Sequence, residues 1–278
     1  MDLHTVTSYR LAGQRGDLAL AAGETVVAGG TWLFSEPQPG TTGLVDLTSL
    51  GWTPWERVGD VLRISATCTI EELLAVPREE LGTAADLVRD CADAFLMSFK
   101  IQHLATVGGN VCLALPAGAM ISLFAALGAE VVVWTADGDE RREPVESFVR
   151  GPGRTSLAPG EVVRAVDVPD QGTSRFAFRR ASLAALGRSA SVVVGRLDGD
   201  VVRLVVTAAT PRPVVLRVGP DDDLATLLAS VEQWYDDPHG APDWRAAVIE
   251  TVAPAGVRRP TTTADERPRG ASEQRRKA

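Results

Sequence analysis

Residues 105–118 read ATVGGNVCLALPAG: two adjacent glycines, an Asn and a second small-residue turn lie inside an apolar run with no charged side chain. Glycine weakens a strand or helix interior by roughly 0.5–1 kcal/mol relative to Ala, so a pair there marks a tight turn or a ligand lying against the main chain. A second pair stands upstream in VVAGGTWLF, residues 26–34, where the β-branched Val26 and Val27 run into Ala28, Gly29, Gly30 and Thr31. Successive backbone N–H groups in such a turn converge on an anion, and glycine removes the Cβ that would block its approach. No GKS, GKT or GxGxxG spacing follows, which argues against a nucleoside triphosphate loop and the doubly wound dinucleotide fingerprint. Taken alone, AGGT reads equally well as an ordinary turn.

The segments around the two pairs suggest alternating sheet and helix. GDLAL, ETVVAGGT and GLVDLTSL, within residues 16–50, have the βαβ style of a small parallel layer. DVLRISATCTIEELL at 60–74 predicts a strand and then a helix, with Thr69 and Glu72 at capping-box spacing. In TAADLVRDCADAFLM at 83–97, Thr83 is the expected N-cap and Leu87, Val88, Cys91, Ala94 and Phe95 share one apolar face. AMISLFAALGA reads as a buried helix closed by Gly128, and Asp137-Gly138 and Asp198-Gly199 read as hairpin turns. Antiparallel strands dominate the second half, and residues 221–253 are expected to be helical.

The chain has 278 residues, 45% hydrophobic and 23% charged, enough for a large core and about two domains. A net charge of −8 argues against a nucleic-acid surface, and no apolar run approaches the roughly 18–20 residues of a membrane span. The first residues carry neither a basic region nor an apolar one, so the expectation is a cytoplasmic protein. Cys68, Cys91 and Cys112 form no CxxC unit, and His4, His103 and His239 form no HxxxH or HExxH spacing, so no metal site is expected in this chain. Residues 257–278, with seven basic and three acidic side chains, have the composition of a disordered tail.

The two glycine turns about 75 residues apart, followed by Leu115-Pro116-Ala117-Gly118, FVRGPGRTSLAPGEVVRAVDVP at 148–169 and FAFRRASLAALGRSAS at 176–191, form an ordered set. In this set the sequence resembles the FAD-binding (medium) subunit of the xanthine dehydrogenase and carbon monoxide dehydrogenase family of molybdenum hydroxylases. The resemblance extends from about residue 5 to residue 253. It implies an α+β chain: a vanillyl-alcohol-oxidase-like, PCMH-type FAD-binding domain of two α/β subdomains over residues 1–170. A small C-terminal domain of antiparallel sheet plus helices over 171–257 and the tail at 258–278 complete it.

Carried over position by position, the resemblance makes Val27, Ala28, Gly29, Gly30, Thr31 and Leu33 the pyrophosphate loop, and Thr106, Gly109 and Asn110 the second FAD turn. Val163 is expected against the flavin, with Arg179 at the basic position facing the ring system. Two positions depart from the family pattern. Trp32 stands where Asp, Glu or Asn is usual, and Ala119 where an Asp faces the cofactor; an indole accepts no hydrogen bond.

The implied cofactor is non-covalent FAD, with molybdopterin and [2Fe–2S] clusters confined to partner subunits. The implied role is to take electrons from an iron–sulfur small subunit, itself served by a molybdopterin-binding large subunit, and to pass them to NAD⁺ or another acceptor. No catalytic acid or base is expected, because the cofactor carries the redox chemistry. Two other readings stay open: a self-contained flavin oxidase of the same fold, and an assembly subunit that has lost FAD.

Overall fold

In the computed structural model, residues 3–257 are described. The predicted parallel layer is present at the N-terminus: strands Ser8–Leu11, Gly43–Asp46 and Glu24–Val27 lie side by side in that order, both pairings parallel. Its connections are short, with a single 3₁₀ turn at Arg15–Leu18 between the first two strands in sequence. The Arg10 guanidinium grips Glu24 with both nitrogens, Nε to Oε1 at 2.9 Å and Nη2 to Oε2 at 2.8 Å. This pairing, with an N–H from Ala21, holds the Glu24 carboxyl at about 2, below its ordinary 4.5. A depressed folded pKa stabilises the fold above the unfolded value and loses that contribution as pH falls. Glu24→Gln is therefore expected to flatten the acid limb of an unfolding titration between pH 4.5 and 2; an acid limb identical to wild type would contradict this linkage.

A central five-stranded sheet follows, entirely antiparallel, in the spatial order Trp55–Val58, Val61–Ser65, Val162–Pro169, Glu130–Trp134, Glu140–Pro144. The hairpin at Asp137-Gly138 joins its last two strands, with Gly138 at φ 100°. Arg15 and Trp134 join this sheet to the N-terminal one, the guanidinium lying 4.7 Å from the ring centroid. Trp134 meets Trp52 edge to face at 5.2 Å, and Arg164 lies 4.4 Å from the Trp52 centroid.

Helix Ala119–Leu127 is apolar except for Ser122, whose hydroxyl bonds the Thr207 hydroxyl at 2.6 Å, and all nine residues are buried, as expected for a helix with protein on every side. It shares one core with Val131, Val133, Val163 and Val166 of the central sheet and with Val192, Val194 and Val205 of the next sheet. Gly128 closes it at φ 67°. Arg203 Nε donates to Ala125 O at 3.0 Å and Arg196 Nη1 to Leu127 O at 2.8 Å, placing cations on its last carbonyls.

Those arginines belong to a C-terminal four-stranded meander, Arg175–Ala181, Ser191–Asp198, Val201–Thr207 and Val214–Val218, turned once at Asp198-Gly199. Two readings of the sequence are corrected. Helix Ala85–Ala94 is preceded by a 3₁₀ turn, Gly82–Ala84, so Ala84 and not Thr83 occupies its N-cap. Residues 221–253 form two helices, Leu224–Ala229 and Pro242–Val257, and not one helical stretch. Pro238 and Gly240, at φ 159°, interrupt the segment between them. The tail reading at 258–278 lies outside the described residues. No helix among the described residues is long and apolar enough to cross a membrane.

Candidate functional site

The strand Glu24–Val27 ends in the AGGT turn, beside the turn that starts helix Val107–Leu113. The contact is intimate: a Cβ built on Gly29 would fall 1.7 Å from the Leu104 carbonyl oxygen. One on Gly108 would fall 2.5 Å from Ala66 Cβ and 2.7 Å from Ala66 O. The sequence suggested that both glycine pairs bare the backbone to a ligand. The structure splits each pair: Gly29 and Gly108 are small because protein backbone and core fill the space, Gly30 takes a left-handed turn with the Phe34 ring against it, and Gly109 gives clearance. Gly30 has φ 66°, and Gly109 is exposed with only Thr106 Oγ1 within reach of an added Cβ, at 2.9 Å.

The backbone donors are distributed unequally between the two turns. At the start of helix Val107–Leu113 the N–H groups are spent on protein: Val107 on Cys68 O at 2.8 Å, Gly108 on Ala66 O at 2.9 Å, Gly109 on Thr106 Oγ1 at 3.1 Å and Asn110 on Thr106 O at 3.0 Å. Thr106 is thus buried and occupied as an N-cap. At the AGGT turn, no hydrogen bond among the described residues uses the N–H groups of Gly29, Gly30, Thr31, Trp32 or Leu33, and the Thr31 hydroxyl has no partner either. Five consecutive free donors in a glycine turn can hold a diphosphate. The first turn therefore fits a dinucleotide, and the second contributes clearance at Gly109.

Asn110 ties the second turn to the LPAG turn: its Oδ1 accepts from Met120 N at 3.2 Å, within the first turn of helix Ala119–Leu127, leaving Nδ2 without a partner among the described residues. Ala208 N donates to Pro116 O at 2.7 Å and Gly153 N to Ala114 O at 3.1 Å, so the C-terminal sheet and the GPGR turn also anchor here. Ala119 points its methyl into the core and offers no polar group.

Val27 and Val163 are also buried. Val163 pairs with Val133 in the central sheet, at a bulge before Ala165, and packs in the main core. The neighbouring Arg164 carbonyl accepts from Ala66 N at 3.0 Å, so this strand supports the residue on which Gly108 rests. Arg179 is exposed on the C-terminal sheet, where it bonds only its neighbour's carbonyl, Phe178 O, at 2.7 Å. Its charge opposes the upward shift that burial, Asp86 and Asp93 impose on the Asp90 carboxyl. No hydrogen bond or ion pair among the described residues links Arg179 to either glycine turn. The structure therefore brings together the AGGT turn, Thr106, Gly109 and Asn110, supports them from Val163, and leaves Arg179 on another element.

Burial pushes all three thiols up, Cys112 to about 12, so none is poised as a nucleophile or ligand. Among the described residues no group of three or more His, Cys, Asp or Glu side chains could hold a metal ion. Ala66, Leu104 and Phe34, whose ring lies over Gly30, also shape the site and were not among the expected residues. Only the last had a local signal, four residues after the glycine.

The family model for the FAD binding domain in molybdopterin dehydrogenase matches residues 17–171. No curated protein sequence matches the chain. Solved structures share the fold. Quinoline 2-oxidoreductase from Pseudomonas putida 86 aligns with TM-score 0.77 at 20% identity, over 92% of this chain and 97% of that one. A carbon monoxide dehydrogenase from Hydrogenophaga pseudoflava, which lacks the Mo-pyranopterin moiety of its molybdenum cofactor, aligns at 0.76 and 19% identity, over 90% and 96%. Reconstituted CO dehydrogenase from Oligotropha carboxidovorans gives 0.76 and 20%, over 88% and 94%.

Proposed function

Because the chain belongs to the family of FAD-binding domains of molybdopterin dehydrogenases, we propose that it is the electron-transfer flavoprotein subunit of a molybdenum hydroxylase. In this reading it works beside an iron–sulfur subunit and a molybdopterin subunit and delivers electrons to NAD⁺ or another acceptor. The observation that carries the proposal is the row of five N–H donors from Gly29 to Leu33 with no acceptor among the described residues. FAD, when bound, supplies exchange of one and two electrons. The chain's own part is placement. The AGGT turn holds the diphosphate, Gly109 gives clearance, Asn110 Nδ2 offers one more donor, and the apolar residues behind both turns keep water out. The proposed division has the FAD domain ending at residue 170, where the central sheet gives way to the C-terminal meander.

Purified protein supplied with FAD is expected to retain it and show flavin absorbance. Gly109→Val is expected to lose the flavin at a cost of about 1 kcal/mol of stability, since its added Cβ presses on the Thr106 N-cap hydroxyl, at 2.9 Å, and leaves the fold intact. Full flavin content in that variant would remove the second turn from the site. Co-expression with an iron–sulfur and a molybdopterin subunit is expected to give a complex in which substrate bleaches the flavin without oxygen. Substrate turnover by the lone chain would favour a self-contained oxidase instead.

A further inference from the structure

The AGGT turn carries two large aromatic side chains whose exposure nothing in the fold explains. Trp32 is 38% exposed and Phe34 47%, and Leu104, whose carbonyl abuts Gly29, is 50% exposed. The Phe34 ring lies on the Cα side of Gly30, where an added Cβ would be 2.3 Å from Cε2. The indole N–H of Trp32 has no hydrogen-bond partner among the described residues. Exposed apolar side chains therefore lie in and beside the segment that carries the five free donors. Inorganic phosphate would satisfy the donors and leave these side chains wet; a diphosphate joined to a flat heterocycle would satisfy both.

We propose that Trp32, with Phe34 beside it, is an aromatic platform on which a ring system attached to the bound diphosphate stacks. The indole thus replaces a polar contact at this position by stacking. This rests on the FAD reading and adds a binding residue to it. Both ends of FAD, the purine and the flavin, present such a ring, and the test separates them.

The test titrates apo-protein with FAD, ADP, FMN and inorganic pyrophosphate, following tryptophan emission in wild type, Trp32→Phe and Trp32→Ala. Trp32→Ala is expected to weaken FAD binding about 10- to 100-fold, the scale of one lost base–aromatic stack, while pyrophosphate binding stays unchanged. Trp32→Phe should restore most of the affinity, and the wild-type minus Trp32→Phe emission should fall on binding. Loss of ADP affinity in Trp32→Ala identifies the purine as the stacked ring, and loss of FMN affinity identifies the flavin. FAD affinity in Trp32→Ala equal to wild type, with wild type binding FAD normally, overturns the platform and leaves the FAD reading intact. A wild-type protein that binds none of the four ligands overturns both.

Discussion

Gly29→Ala and Gly108→Ala are each expected to cost at least about 3 kcal/mol of stability, above the usual range for one extra methyl in a core. The reason is what the methyl would meet. At Gly29 it would lie 1.7 Å from the Leu104 carbonyl oxygen and 2.6 Å from its carbon; at Gly108 it would meet Ala66 Cβ and carbonyl within 2.7 Å. Neither obstacle is the far end of a flexible side chain, so relief requires the AGGT turn to separate from residues 104–105, or helix Val107–Leu113 from Ala66. The Gly108 N–H bond to Ala66 O would go with it. For a chain of this size the melting temperature should drop by roughly 6–12 °C, and flavin should be lost with the fold. Gly109→Ala is the control, expected within about 1 kcal/mol of wild type because the position is exposed. Wild-type melting in Gly29→Ala would show that the two turns do not pack as described.

The second large effect lies far from the glycine turns. Arg245 is fully buried, and its guanidinium donates Nε to Gly240 O at 2.8 Å and Nη1 to the carbonyls of Ala190 and Ala208, with Nη2 on Asp237. The Tyr235 ring lies 5.7 Å from it. Arg245→Met keeps the bulk of the side chain and removes every donor. Three carbonyls and a carboxylate then lose their partner, and breaking a buried pair from one side costs about 3–5 kcal/mol. Arg245→Lys should recover little, since a point ammonium cannot reproduce the planar fork.

The damage should spread toward the site. Ala208 is held at φ 63°, a conformation unfavourable for any side chain, and its N–H bonds Pro116 O in the LPAG turn. Denaturant unfolding with and without FAD would read both effects. Stability of Arg245→Met equal to wild type would show the cluster to be dispensable.

The sequence by itself determined what depends on near neighbours along the chain. The capping box at Thr69 and Glu72 is present, with Glu72 N on Thr69 Oγ1 at 3.1 Å and Thr69 N on Glu72 Oε2 at 2.8 Å. Gly128, Gly138 and Gly199 take the left-handed turns expected of them, and helix Ala119–Leu127, apolar but for Ser122, is wholly buried. The AGGT and GGN turns were legible for the same reason, because glycine pairs, β-branched strands and caps act over a few residues.

Tertiary structure decided the rest. Whether a glycine faces a ligand or a carbonyl depends on a segment about 75 residues away, as at Gly29 and Leu104. Whether a turn's N–H groups are free depends on which carbonyls fold against them: Cys68 and Ala66 consume those of Val107 and Gly108, and nothing among the described residues consumes those of residues 29–33. Arg245 reads in sequence as one more charge on a helix face. Only the approach of Ala190, Ala208, Asp237 and Gly240 from three other segments makes its burial favourable, because a guanidinium leaves water only where the fold has assembled acceptors for it.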